Sequence, residues 1–282
     1  MTGITVQPRP NGFGAHILGV DLTLPLTPEI VLNLREIWLN HQVISFTDQP
    51  LDHAALERFT GYFGGYGNDP YVQSIEGHDH ILEVRREPDE AIAPFGAAWH
   101  SDWSFQQTPP SATTLHAKIV PPIGGETLYA DGVRAFETLE TSLRDDVESL
   151  TAIHSARRPY SREGYEKSGG PDRSMTILPS DKAWETQEHP VVRTHPESGR
   201  KVLWVNPVYT IGIKGLSVAD SEDLLGKLCA HALQEEFVYT HTWRENMLTM
   251  WDNRSVQHCA QGGYDGHRRV LHRTTVAGDQ PF

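Results

Sequence analysis

His100 and Asp102 stand two residues apart, and His258 lies 156 residues beyond Asp102. On a strand, residues i and i+2 point to the same face, so a short strand end carrying Trp99-His100-Ser101-Asp102 offers an imidazole and a carboxylate together. Both are metal-ligand types, and the histidine of Gln257-His258 would complete a three-ligand set. A site of this kind can exist only if the fold returns a distant strand to the first motif. That requirement narrows the choice of fold more than any other feature of the chain. Read alone, His-x-Asp arises readily by chance in a sequence with fifteen histidines. Its weight therefore depends on what surrounds it.

The surroundings are those of a β-rich protein. From Ile81 onward, short β-forming runs alternate with Gly and Pro: Ile81–Val84, Thr113–Ile119, Thr127–Tyr129, Val191–Thr194, Val202–Val205, Leu248–Trp251 and Arg269–Val276. Several short strands with such turn signals predict a barrel or a double-sheet jelly roll. Before them, Gly12–Ile17 leading into Val20–Leu22 reads as a short strand and turn, and Val43–Phe46 as a buried strand. Thr27-Pro28 opens a helix running through Trp38, with threonine as cap and proline in the first turn. Leu51–Phe63 reads as a second helix with Asp52 near its start and Gly64-Gly65 as its stop. Leu139–Ser149 and Ser221–Ala232 read as further helices. Residues 155–188 are polar and without periodicity, which predicts either an active-site lid or a solvated insertion. No linker divides the chain, and one metal site would need both halves of the β-rich region. A single catalytic domain over residues 1–282 is the simpler expectation.

Several function classes are disfavoured. The formal net charge of −13 opposes binding to nucleic-acid phosphates. No apolar run approaches the ~18 residues of a membrane span. The first ten residues lack a basic-then-apolar leader pattern, and two cysteines without a CxxC make a disulfide framework unexpected. The expectation is a cytoplasmic protein.

Two histidines and one carboxylate on one side of a metal leave the other positions open, as in the facial triad of non-haem Fe(II) oxygenases. Such an oxygenase needs electrons, usually from 2-oxoglutarate, whose far carboxylate needs a cation. Arg269 lies 11 residues after His258, room for a turn and a return strand, and Arg273 follows four residues on, on the same strand face. Arginine binds carboxylates with a rigid fork, and the Thr127 hydroxyl can add a hydrogen bond. Arg268 reads as a surface residue. A metal-dependent hydrolase could use the same ligands, but would leave the arginine without a task.

These residues, in this order, resemble the taurine dioxygenase and 2,4-D dioxygenase (TauD/TfdA) family. The resemblance runs from Gly14-Ala15 and Gly19–Leu22 through Asp48-Gln49, Phe63-Gly64 and Trp99–Asp102. It continues through Pro121–Thr127, His195–Gly199, Trp251–Arg254 and Gln257-His258 to Arg268–Thr274. It implies a double-stranded β-helix, mainly β with flanking helices, with Fe(II) held by His100, Asp102 and His258. It implies 2-oxoglutarate held by Thr127 and Arg269, with O2 as co-substrate. The expected reaction hydroxylates a C–H bond of a small polar substrate (a sulfonate, carboxylate or amino-acid-like compound) and releases succinate and CO2. A non-catalytic β-barrel binding protein that kept the fold is the alternative, and the intact ligand set argues against it. A homo-oligomer, dimer or tetramer, is the family expectation.

The resemblance says less about the substrate. Arg273 matches a second arginine near substrate or co-substrate, or has a structural role. Asp69, in Asn68-Asp69-Pro70-Tyr71, stands where the taurine enzyme has a sulfonate-binding histidine. An anion there repels a sulfonate and favours a donor or cation. Trp103 replaces a small aliphatic residue and either narrows the pocket or packs in the core. Tyr209 and Tyr160 match aromatic pocket positions and read equally well as core residues.

Overall fold

A computed structural model describes residues 3–282. Its frame is an eight-stranded sheet in the order Thr5–Pro8, Ala15–Leu18, Val43–Phe46, Leu248–Asp252, Ala112–Ile119, Arg269–Val276, His78–Arg86, Ser74–Ile75. All neighbours are antiparallel except Ala15–Leu18 with Val43–Phe46. A three-stranded sheet, Val238–His241, Thr127–Asp131, Val256–Ala260, faces it. Leu115, Ala117, Trp251 and Leu271 of the large sheet pack with Tyr129 and Val256 of the small one. The architecture is the jelly roll read from the sequence, mainly β with flanking helices.

Both faces of the large sheet are covered. Helices Pro28–His41 and His53–Gly61 lay Leu34, Ile37, Trp38, Leu56 and Phe59 on the outer-facing Ile44, Phe46, Leu248 and Met250. The strand Leu248–Asp252 shows the period of two: Leu248 and Met250 join the helices, and Trp251 joins the inner core. Burial on both faces explains why every residue of Arg269–Val276 is buried, polar ones included.

The helix signals held in kind and shifted at their ends. Thr27 caps Pro28–His41, and Asp52 caps His53–Gly61 by accepting from Ala55 N–H at 2.7 Å. The second helix stops at Gly61, ahead of Gly64-Gly65. Gly64 serves packing instead, since a Cβ there would come within 2.9 Å of Val276 Cγ1. The helix expected from Leu139 is confined to Thr141–Val147, and the one expected from Ser221 starts at Val218, capped by Ser217. Gly132–Glu137, capped by Asp131, carried no readable period because it is under two turns long. Residues 155–188 are no structureless loop: they form the helices Arg157–Tyr160 and Arg162–Lys167, two 3-10 turns and most of the strand Thr186–Pro190. Elements this short cannot show a period.

Beyond the jelly roll, Thr151–Ser155 pairs with Thr210–Ile213 and Thr186–Pro190, and Val192–Thr194 with Lys201–Leu203. Helix Val218–Ala232 closes this region through Leu228 and Ala232, packed with Phe136, Ala152 and Leu203.

Histidine burial sets the acid response of the fold. His116, His189 and His272 are each pushed down to about 4 by burial. Unfolded, they return to about 6.5, so between these values the unfolded chain binds more protons. Stability falls as pH drops from 6.5 towards 4, by up to about 4 kcal/mol per pH unit for three such groups. Urea midpoints at pH 7, 5 and 4 should decline in that order; a flat series contradicts it.

Candidate active site

His100 lies on no regular strand. A single antiparallel bridge joins it to His258: His100 N–H donates to the His258 carbonyl at 3.1 Å, and His258 N–H to the His100 carbonyl at 2.8 Å. The chain then turns, and Trp103 adopts a left-handed φ of 47°. Asp102 follows His100 by two residues, and its carboxylate lies on the same side as the His100 ring. Ligand atoms of His100, Asp102 and His258 all lie within 4.8 Å of one another. The two Nε2 atoms are 3.5 and 3.9 Å from Asp102 Oδ1.

The donor set suits a metal cation. His100 Nδ1 lies 2.7 Å from the Ala98 carbonyl, which can only accept, so Nδ1 carries the proton and Nε2 keeps its lone pair. Burial, then the neighbouring His100, pushes His258 down to about 3, which keeps its imidazole neutral at pH 7. For Asp102, burial raises the pKa, but Arg273, His258 and His100 together outweigh it and hold the carboxyl well below its ordinary value. Asp102 Oδ2 accepts from the Thr113 hydroxyl at 2.6 Å.

Thr127 and Arg269 line the same small cavity as the three ligand residues. Trp243 Nε1–H donates to Thr127 Oγ1 at 3.0 Å, leaving the threonine proton for another acceptor. Arg269 is 5% exposed; its Nη2 donates to the Gly125 carbonyl at 3.1 Å, and its Nε has no partner. A buried guanidinium with a donor unspent fits a carboxylate ligand. Gly125 makes room for it, since a Cβ there would press on Arg269 Nε at 3.2 Å. Arg273 lies four residues along the same strand face, about 13 Å away along the backbone, so the two arginines reach different parts of the cavity. Arg273 Nη2 is 3.1 Å from Asp102 Oδ1 and 3.6 Å from Asp69 Oδ1. Arg268 is exposed and pairs with Glu87, as expected.

A second cavity of about 410 Å³ shares Phe95, Gly96 and His100 with the first. Tyr160 and Tyr209 line it with Pro94, Tyr165 and Val208, and Arg173 adds a charged group. Tyr209 stands edge-on to the His100 ring, centroids 6.0 Å apart. Asp69 and Trp103 line neither cavity. Trp103 packs in the core beside Phe105 and Tyr160, one of its two readings. Asp69 instead accepts from Trp103 Nε1–H at 2.5 Å and from the Thr275 hydroxyl at 2.9 Å, and Arg273 lies over the Trp103 ring at 4.8 Å. Sequence reasoning did not single out Thr113, Trp243 or Arg173. Nothing in their local sequence sets them apart.

Two imidazoles and one carboxylate between the sheets of a jelly roll, beside a buried arginine, define the class of non-haem Fe(II) oxygenases. Known proteins agree. The profile described as "Taurine catabolism dioxygenase TauD, TfdA family" matches residues 5–275. The chain is 31% identical over 279 residues to an alpha-ketoglutarate-dependent sulfate ester dioxygenase of Pseudomonas putida, covering 99% of this chain and 91% of that one. It is 32% identical over 291 residues to an alpha-ketoglutarate-dependent 2,4-dichlorophenoxyacetate dioxygenase of Cupriavidus pinatubonensis, covering 98% of each. The crystal structure of AAD-2 in complex with Mn(II) and N-oxalylglycine superposes with a TM-score of 0.79 at 28% identity, covering 99% of this chain and 98% of that one. The chain belongs to the TauD/TfdA family of 2-oxoglutarate-dependent dioxygenases.

The Trp251–Arg254 run supports the site from behind. Asp252 is 1% exposed; it accepts from Arg254 Nε and Nη2 at 2.8 and 2.7 Å, and its Oδ2 lies 2.9 Å from His195 Nε2. Asp252→Ala strands Arg254 and His195 without that partner. It should cost about 3–5 kcal/mol in chemical denaturation; a loss below 1 kcal/mol contradicts this pairing.

Proposed function

We propose that His100, Asp102 and His258 hold Fe(II), that Thr127 and Arg269 bind the far carboxylate of 2-oxoglutarate, and that the 410 Å³ cavity receives the substrate. The carrying observation is that three ligand residues and a buried arginine with an unspent donor line one cavity. With O2, the bound iron and 2-oxoglutarate supply the oxidation that hydroxylates a substrate C–H bond, with release of succinate and CO2. The protein's own part is to orient and exclude. The Ala98 carbonyl sets the His100 tautomer, Trp243 turns the Thr127 hydroxyl outward, and Tyr209 walls the triad beside His100.

The whole chain works as one catalytic domain, with residues 155–188 as a wall or lid over the substrate. Pro159, Tyr160, Tyr165, Ser168, Arg173 and Ile177 of that segment line the larger cavity, which supports this. Its apolar walls with Arg173, and Arg273 in the adjoining cavity, favour an organic acid or ester with an alkyl or aryl body. The relatives named for a sulfate ester and for 2,4-dichlorophenoxyacetate fall in that range. Asp69 acts as counter-charge to Arg273, tempering its pull on an anion. No helix among the described residues is long and apolar enough to cross a membrane, and both cysteines are free. A cytoplasmic home and a dimer or tetramer complete the proposal, the oligomer on family likeness alone.

The metal assignment is tested by anaerobic iron titration: wild type binds one Fe(II) and His100→Ala binds none tightly. Iron binding by His100→Ala as in wild type overturns it. Arg269→Gln should weaken 2-oxoglutarate binding about 10–100-fold, the worth of hydrogen bonds to a charged group, and leave iron binding without 2-oxoglutarate unchanged. Equal 2-oxoglutarate affinity removes Arg269 from the site. Asp69→Asn should lower KM for an anionic substrate roughly tenfold by freeing the Arg273 charge. An unchanged KM across acids and esters shows that Asp69 serves packing alone.

A further inference from the structure

The Asp102 carboxylate has two oxygens, and only one faces the histidines. The other is held by a hydrogen-bond chain that begins at Trp251. An indole N–H can only donate, and Trp251 Nε1 donates to Asn253 Oδ1 at 2.9 Å. That contact fixes the amide orientation, so Asn253 Nδ2 must be the atom that donates to Thr113 Oγ1, also at 2.9 Å. The threonine hydroxyl, accepting from the amide, spends its own proton on Asp102 Oδ2 at 2.6 Å. Each link sets the direction of the next. Oδ1 is left to the two Nε2 atoms and Arg273.

The chain is anchored at every step. Trp251 and Thr113 are direct partners in the sheet register. Asn253 is fixed by its backbone as well, donating to the Ser111 carbonyl at 2.9 Å and accepting from Trp204 Nε1 at 3.0 Å. Trp251, Asn253, Thr113 and Asp102 are all buried. The Trp251 ring also lies against His258, centroids 4.6 Å apart. One tryptophan thus braces one histidine of the triad directly and the carboxylate through two intermediaries.

We propose that Thr113 and Asn253 are positioning residues for metal binding: the chain from Trp251 presents Asp102 as a carboxylate with one oxygen committed to the protein and one to the ion. This rests on the assignment of iron to His100, Asp102 and His258. Partners of this kind around a ligating group typically contribute 10–100-fold in metal affinity.

The test is ferrous iron affinity, measured anaerobically by competition with a chromophoric chelator, on the full chain without 2-oxoglutarate. Thr113→Val keeps the shape and removes the hydroxyl, and should weaken iron binding about 10–100-fold. Thr113→Ser restores the donor and should bind iron as wild type does, a rescue that a mere packing role does not predict. Asn253→Asp still accepts from Trp251 but turns an acceptor toward Thr113, so two carboxylates compete for one proton. It should weaken iron binding as well. The double variant Thr113→Val/Asn253→Asp should bind no worse than the weaker single, because both break one chain. Wild-type affinity in Thr113→Val, failure of Thr113→Ser to rescue, or additive losses overturn the proposal. If Thr113→Val does not fold, Asn253→Asp decides by the same reading. A wild type that binds no iron indicts the triad; a wild type that binds it and a Thr113→Val that binds it equally indicts the brace alone.

Discussion

The two hydrogen bonds between His100 and His258 hold the site together. They tie a loop after the strand His78–Arg86 to the strand Val256–Ala260, across more than half the chain. Without that bridge the two imidazoles belong to separate parts of the molecule. With it, their rings sit 4.2 Å apart, and the turn that follows brings in the carboxylate. The bridge itself depends on the jelly roll: Val256–Ala260 is fixed by its ladder with Thr127–Asp131, which also carries Thr127. One sheet edge thereby sets both the triad and one of the residues proposed for 2-oxoglutarate.

Charge burial imposes the second constraint. Asp102, Arg269 and Arg273 are each at most 5% exposed. Buried charges are costly unless paired or bonded. Asp102 is compensated by Arg273, and Arg273 in turn by Asp69, itself held by Trp103 and Thr275. Among the described residues Arg269 has no carboxylate within salt-bridge distance; it meets the Gly125 carbonyl and the aromatic rings of Trp243 and Tyr264, with Glu126 acting at longer range. That imbalance sets it apart from Arg254 and Arg193, which meet acidic side chains. Arg193 also keeps an unpartnered Nε, so what sets Arg269 apart is the missing counter-charge in a cavity-lining position, which suits a group that binds an anion.

Much of this was legible in the sequence, unevenly. The strand Arg269–Val276 is legible to the residue, because it is a short run rich in β-branched and apolar residues, Val270, Leu271, Thr274, Thr275 and Val276, ended by Ala277-Gly278. Val256–Ala260 was not picked out as a strand, since Gln257-His258-Cys259 breaks any simple apolar pattern. The triad is legible from spacing and family likeness: the three side chains meet, although His100 and Asp102 stand outside any regular strand and a left-handed Trp103 turns the chain away just after them. Asp69 and Trp103 align with pocket positions, but alignment locates a residue in the chain and not the face it presents: they meet each other and Arg273, which lines the cavity, without lining it themselves. Thr113 and Trp243 left no signal, since their importance lies in a single hydrogen bond made to a residue far away in sequence.

One cavity between the two sheets is proposed to hold both the iron and its 2-oxoglutarate. A crystal structure of the protein grown anaerobically with ferrous iron and 2-oxoglutarate tests it most directly. One metal ion should be bound by His100, Asp102 and His258, with the far carboxylate of 2-oxoglutarate on Arg269 and Thr127. Metal bound elsewhere, or 2-oxoglutarate seated away from Arg269, contradicts it.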